Sequence, residues 1–150
     1  MIKRFTLGIC ILLLAGMIAL GQDIVVADFE SSTYGDWKIL EGTAFGLGPT
    51  DAHKLQVTGH QGSRLVNSFG TGDSATGMIA SPPIEINRRF LSFLIGGGQH
   101  EGQTGLELIV DGKVFRSATG MNSAQLRRES WDVTSIARRK DGVEHAVANE

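Results

Sequence analysis

The sequence has one cysteine, three prolines and one tyrosine among its 150 residues, and the lack of further cysteines excludes several kinds of site. The cysteine, Cys10, lies inside an apolar run near the N-terminus, so the rest of the chain has no thiol for a disulfide, a nucleophile or a cysteine-ligated metal. A formal net charge of −2 leaves no positive excess for holding phosphates, which disfavours nucleic-acid binding. Twenty glycines beside 41% hydrophobic residues exclude collagen, a coiled coil and an acidic disordered chain.

The first twenty-one residues have the pattern of an export signal. Lys3 and Arg4 form a positive start, residues 7–20 are uncharged and mostly apolar, and residues 19–21 form a small-x-small cleavage signature. The apolar stretch falls short of the roughly 20 residues that a bilayer-spanning helix needs, which favours cleavage over an uncleaved anchor. We therefore expect residues 1–21 to be a signal peptide and the mature protein to be exported, to the periplasm or the extracellular space.

From Asp23 onward, short apolar segments alternate with clusters of Gly, Asn, Asp and Ser about every ten residues. This rhythm is typical of an all-β sandwich, and no long helical stripe interrupts it. The strand candidates are Ile24–Phe29, Trp37–Leu40, Thr43–Phe45, Arg64–Phe69, Met78–Ser81 and Phe90–Ile95. We accordingly predict one β-sandwich over residues 22–136.

The clearest local signal is a β-hairpin around Asp111-Gly112. Residues 106–110 and 113–116 flank this dipeptide, which supplies the positive φ angles of a two-residue type I′ turn. The only segment with a helical pattern is Ser123–Arg128, and it is short.

Nine short blocks occur in a fixed order along the sequence. They are Asp28-Phe29-Glu30, residues 34–37, residues 41–49, residues 65–69, Ser81-Pro82, residues 93–98, residues 110–113, Ala118-Thr119-Gly120 and Trp131-Asp132-Val133. Together they resemble the N-terminal β-sandwich module that precedes the catalytic propeller in bacterial levanases and related fructan hydrolases of glycoside hydrolase family 32. The resemblance covers roughly residues 24–136.

The resemblance implies a jelly-roll or galactose-binding-like fold without an active site. Catalysis in the family requires an Asn-Asp-Pro nucleophile block, an Arg-Asp-Pro block and a Glu-Cys acid/base, and the sequence contains none of these. The implied role is to bind fructan or another polysaccharide, or to support a propeller that this sequence does not include. The family is one of glycosidases, but we expect this chain to be inactive by itself.

The sequence departs from the family pattern after Ile136. Relatives continue with strands that close the sandwich, whereas residues 137–150 are polar and lack strand alternation, which predicts an irregular tail. One hypothesis is a truncation or a frameshift near this point, which would make the product a non-functional fragment. Another is a purely structural module that packs against a neighbour and binds no sugar.

Sugar-binding modules stack sugar rings on exposed aromatic residues and bind the hydroxyls with polar side chains at the rim. The aromatic candidates are Tyr34, in a turn, and Trp37. Trp37 and Trp131 both lie next to strand-like segments, so packing in the core or at a strand edge is the alternative for each. The candidate polar partners are Asp36, Asn67, His100 and Glu101.

One pair of acidic residues in the sequence is a candidate metal site. Asp28 and Glu30 flank Phe29 in the predicted first strand, so both carboxylates would point to one side of it. The resemblance implies that they hold a structural calcium ion, the alternative being a solvated strand face. The four histidines include no pair at the i, i+2 or i, i+4 spacing that puts two ligands on one face, which argues against a zinc site.

Overall fold

The computed structural model describes residues 22–69, 72, 74–137 and 144–149. These residues form nine strands and one four-residue helix, so the predicted all-β class is confirmed. The predicted signal peptide, residues 1–21, lies outside the described residues. In the part of the chain that is described, no helix has the length and apolar character needed to cross a membrane.

The first four strands have two to five residues and the last five have six to ten. The early ones are short, and the longest, β8, has ten residues. The elements are β1 (Lys38–Gly42), β2 (Thr50–Asp51), β3 (Arg64–Leu65), β4 (Gly77–Ala80), β5 (Phe90–Gly97), β6 (Gly105–Val110), β7 (Lys113–Ala118), β8 (Ser123–Asp132), α1 (Thr134–Ala137) and β9 (Glu144–Asn149).

The strands form three antiparallel groups. A five-stranded sheet has the order β1-β4-β9-β6-β7 and is open, with β1 and β7 at its edges. The other two groups are the ribbons β2–β3 and β5–β8. A parallel bridge between Thr58 and Gln125 links the loop after β2 to β8.

The strand β9 corrects the expectation of an irregular tail. Glu144–Asn149 lies between β4 and β6, with Val147 opposite both Ala80 and Glu107. Two flanking strands with unpaired backbone groups stabilise a strand there, even though its sequence lacks strong β residues. Val147 is buried and Ala148 packs against a core cluster, so these small side chains fit the centre of the sheet.

The predicted hairpin is confirmed as β6 and β7. Asp111 has φ 52° and Gly112 has φ 73°, the two positive angles that a type I′ turn requires. The strands predicted near residues 37–40, 78–81 and 90–95 are also present, as β1, β4 and β5. Of the strand predicted at residues 64–69, only Arg64–Leu65 forms.

Three local predictions are wrong. Ile24–Phe29 is not a strand, and its residues 24–26 are exposed, so no neighbouring sheet stabilises an extended pairing there. Thr43–Phe45 forms part of a turn. The helical pattern at residues 123–128 belongs to β8, because pairing with β5 outweighs the weak local helix propensity.

Two hydrophobic clusters form the core. The first joins the five-stranded sheet to the β5–β8 ribbon, because Leu108 of β6 packs with Trp131 of β8 and with Phe93 of β5. The second lies beneath β4, where Ile79 meets the early segments through Tyr34 and Phe45. The ribbon therefore covers part of one face of the large sheet, and the turns of residues 29–45 cover another part.

Candidate functional site

Tyr34 does not offer its ring to a ligand, contrary to the sequence-based prediction. The residue is only 8% exposed, and its hydroxyl donates a hydrogen bond to the carbonyl oxygen of Phe45. Burial raises the pKa of the Tyr34 phenol above its ordinary value. Tyr34 therefore fixes one turn against another inside the second core cluster.

The two tryptophans also pack internally. Trp37 is half-buried, and its ring meets the Phe29 ring edge-on with centroids 5.2 Å apart. Trp131 is buried and meets Phe93 at 4.6 Å. Among the described tyrosine and tryptophan residues, none presents an exposed ring for stacking on a sugar.

The polar candidates lie in separate places. Asp36 is exposed beside Trp37, whereas Asn67 is half-buried and its Oδ1 accepts a hydrogen bond from the Phe69 amide at 3.1 Å. His100 and Glu101 are both exposed in the loop between β5 and β6. Of these polar candidates, Glu101 lines a concave surface, and His100 precedes it in the same loop.

The geometry predicted for Asp28 and Glu30 is wrong, because Phe29 between them has φ 57° and the segment is not a strand. The Glu30 carboxylate accepts hydrogen bonds from the Ser63 and Arg64 amides at 3.0 Å. Asp28 Oδ1 accepts one from the Glu30 amide at 3.1 Å. Because N–H groups occupy the Glu30 oxygens, this arrangement does not suit a calcium ligand. No group of three or more His, Cys, Asp or Glu within the described ranges is placed to hold a metal.

The concave surface is a small pocket where the β5–β6 loop meets the hairpin, here called the Glu101 pocket. Its volume is about 60 Å³. It is lined by Glu101, Gly102, Thr104, Gly105, Leu106, Glu107, Ser117, Ala118 and Thr119.

A hydrogen-bond network holds the loop that forms one wall of the Glu101 pocket. Thr119 Oγ1 donates to the Gly98 carbonyl at 2.8 Å and accepts from the His100 amide at 3.3 Å. The His100 carbonyl accepts from the Gln103 and Thr104 amides at 3.0 and 2.9 Å. The loop is therefore fixed before any ligand arrives, which lowers the entropic cost of binding.

Gly105 allows β6 and β7 to approach closely at the base of the pocket. Its φ is 146°, and a Cβ there would lie 2.1 Å from the Ala118 carbonyl oxygen. A larger residue would push the two strands apart and open the pocket floor.

The lining of the Glu101 pocket combines hydrogen-bond acceptors with an unpaired hydroxyl. Glu101 and Glu107 contribute carboxylates, and Ser117 lies directly opposite Glu107 across the hairpin. Thr104 Oγ1 is buried and has no hydrogen-bond partner in the described part of the chain. Such an atom costs free energy unless a ligand or solvent pairs with it. The pocket therefore suits a ligand that carries several hydroxyl groups.

Sequence reasoning identified Glu101 and the neighbouring His100 but missed Thr104, Glu107 and Ser117. The alternation in β6 contained the signal for Glu107, because Leu106, Leu108 and Val110 occupy the opposite face of that strand. The two-residue turn alone would place Arg116 across from Glu107. A β-bulge near Leu108 shifts the register by one residue and brings Ser117 there instead.

The structure also brings together two histidines that their sequence spacing did not connect. The His53 and His60 rings lie with centroids 5.3 Å apart, with their planes at 89°. The loop between β2 and β3 produces this pairing, so the spacing rules for helices and strands do not apply.

Comparison with known proteins relates part of the chain to a glycosyl hydrolase. No protein-family model matches the chain, and no solved structure matches it. Over 80 residues the chain is 44% identical to a protein of Aspergillus rugulosus named "Putative glycosyl hydrolase ecdE". The matched segment is 53% of this chain and 11% of that relative, so the chain spans only a small part of the relative's length.

Proposed function

We propose that this protein is a non-catalytic accessory module of a glycosyl hydrolase and binds a polysaccharide at the Glu101 pocket. The observation that carries the proposal is the unpaired Thr104 hydroxyl in a pocket flanked by two carboxylates. The partial similarity to a glycosyl hydrolase supports a carbohydrate as the ligand.

The binding mode follows from the hydrogen-bonding capacity of each group. Glu101 and Glu107 accept hydrogen bonds from sugar hydroxyls, and charge makes such bonds stronger than neutral ones. Thr104 Oγ1 both donates and accepts, so one sugar hydroxyl pairs with it. The pocket is small, so we expect it to take one hydroxyl-bearing edge of a sugar unit rather than a long stretch of polymer.

We assign fructan as the first polymer to test, and family 32 as the parent enzyme type, because of the ordered sequence blocks. Export through the signal pattern of residues 1–21 fits a polymer that is too large to enter a cell. The catalytic motifs of that family do not occur in the sequence, so the module acts on its ligand only by binding.

A packing module is the second candidate, and the edge strand β1 favours it. All five residues of β1 are exposed, with Ile39 at 42% and Leu40 at 58%. An exposed apolar edge of this kind suits contact with a neighbouring domain.

Titration calorimetry with levan and inulin oligosaccharides tests the proposal. We expect one binding site on the full-length protein, weakened at least tenfold by Glu101→Gln and by Glu107→Gln. Glu85→Gln, an exposed position outside the pocket, is the matched control and should leave the affinity unchanged.

Thr104→Val separates binding from folding. The substitution keeps the shape of the side chain and removes the unpaired hydroxyl, so stability should hold or rise while affinity falls. Absence of binding to either fructan would refute the assigned ligand and favour the packing module. Release of fructose by the purified protein, beyond that of a mock preparation, would refute the non-catalytic role.

A further inference from the structure

The His53 and His60 pair has the spacing of two imidazoles that share one metal ion. A zinc–nitrogen bond is about 2.0–2.1 Å, so two rings on one tetrahedral ion have centroids about 5 Å apart. The observed separation is 5.3 Å. His53 is exposed and His60 is half-buried, so an ion from solution can reach the pair.

The hydrogen bond of His60 leaves its Nε2 atom free to bind a metal. Its Nδ1 lies 2.9 Å from the Gly62 carbonyl oxygen, and a carbonyl only accepts, so Nδ1 carries the hydrogen. In the neutral ring, Nε2 then keeps its lone pair. Metal-binding histidines commonly donate their second nitrogen to a backbone carbonyl in this way, which fixes both the tautomer and the orientation of the ring.

Backbone hydrogen bonds hold the loop that presents the two rings. The strands β2 and β3 pair at its neck, and the Ala52 amide donates to the Ser63 carbonyl at 3.0 Å. Within the loop, the Val57 amide donates to the Ala52 carbonyl at 3.2 Å. The Asp51 carboxylate accepts from the His53 amide at 2.9 Å, which orients the residue that carries the first ring. The two ligands are therefore partly preorganised on a closed loop.

We propose that His53 and His60 bind one transition-metal ion, such as Zn²⁺, Ni²⁺ or Cu²⁺, and that water completes its coordination. Imidazole nitrogens select these ions over Ca²⁺ and Mg²⁺, which prefer oxygen ligands. With two protein ligands the ion is held at the surface with open positions, and it joins the two ends of the loop. The site is separate from the Glu101 pocket and does not depend on the proposed function.

Metal titration of the full-length protein, produced without a polyhistidine tag and treated with a chelator, tests this proposal. We expect one Ni²⁺ or Zn²⁺ ion per chain by calorimetry, and no response to Ca²⁺. His53→Ala and His60→Ala should each weaken binding at least tenfold. Gln61→Ala is the matched control, since it changes an exposed neighbour in the same loop and leaves both rings in place.

A spectroscopic measurement locates the ion. Substoichiometric Cu²⁺ should broaden the NMR signals of the His53 and His60 rings before those of the other histidines, because a paramagnetic ion acts on its nearest nuclei. Equal broadening of all histidines, or full binding that survives both alanine substitutions, would overturn the proposal. If a histidine variant loses its native spectrum, His60→Gln at the half-buried position provides the polar replacement for the same titration.

Discussion

Residues 22–69 and the later part of the chain, residues 74–137 and 144–149, reach an ordered structure by different means. The early region has three strands, two of them only two residues long, and its distant segments are joined by side chains that bond to backbone. Examples are Glu30 with residues 63–64, Tyr34 with Phe45, and the Arg64 guanidinium with the Pro49 carbonyl. The later region depends instead on strand ladders around Leu108.

The difference shows that a few side chains can replace a ladder. Backbone polar groups that leave water need partners, and in the early region single residues supply them. A ladder distributes this task over many residues, so one surface substitution changes little. In the early region, loss of one such side chain should detach a whole turn from the segment to which it is hydrogen-bonded.

The largest effect should come from the later region, where Leu108→Ala removes a fully buried side chain. We expect the free energy of unfolding to fall by about 2–5 kcal/mol, measured by urea denaturation. Val114→Ala, in the same hairpin but exposed, is the control and should cost less than about 1 kcal/mol. Equal losses would show that the first core cluster does not hold the sheet and ribbon together.

In the early region, Tyr34→Phe should cost about 1–3 kcal/mol, because it leaves the buried Phe45 carbonyl without its donor. The raised pKa of Tyr34 adds a test in alkali. The stability that depends on the neutral phenol is complete below pH 10 and is lost as the pH rises through the higher folded-state pKa. Denaturation curves from pH 8 to 12 should show this loss in the wild type and a smaller loss in Tyr34→Phe.

A smaller effect is expected from Glu30→Gln, which keeps one acceptor oxygen and removes the charge that three amide hydrogen bonds share. The expected cost is about 1 kcal/mol, with faster hydrogen exchange at the Ser63 and Arg64 amides. Glu85→Gln should change neither quantity. Unchanged hydrogen exchange at both amides in Glu30→Gln would show that the Glu30 carboxylate does not hold Ser63 and Arg64 in place.

The smallest effect should appear only in acid and in the later region. Hydrogen bonds from Thr134, with help from Arg89, lower the pKa of Asp132 to about 2. Its contribution to stability is therefore complete above the ordinary carboxyl pKa and is lost as the pH falls toward 2. Asp132→Asn should lack this acid dependence. Thr134→Val should raise the Asp132 pKa in an NMR titration, and an unchanged value would assign the shift to the residue 134 amide and Arg89 instead of the hydroxyl.

The fold could be predicted where neighbouring residues determine it. The Asp111-Gly112 turn fixed the hairpin and the register of the pairs next to it, and the alternation of β6 pointed Leu108 inward. A bulge shifts the register by one residue beyond Ile109, and no sequence signal marked it. The strand β9 could not be predicted, since its partners β4 and β6 lie far away in sequence and its own residues favour no structure strongly. For the same reason, the weak helical pattern of Ser123–Arg128 gives no sign of β8, which pairs with the distant β5.

The candidate sites could also be predicted only where neighbouring residues determine them, and not where contacts distant in sequence do. Sequence patterns marked Glu101 beside the hairpin, but the burial of Tyr34 depends on a contact with a turn eleven residues away. The Glu30 carboxylate meets amides more than thirty residues away, which no local pattern reveals. The pairing of His53 with His60 likewise depends on the path of one irregular loop.

The central position of β9 also sets the order of events during protein synthesis. The ribosome makes β4, β6 and β7 before β9, so the strand that joins the two parts of the large sheet becomes available after both of them. Until then β4 and β6 each expose an open edge, on which a nascent chain is most vulnerable to wrong pairing. The large sheet is therefore completed by insertion of a later segment between two strands that are made earlier.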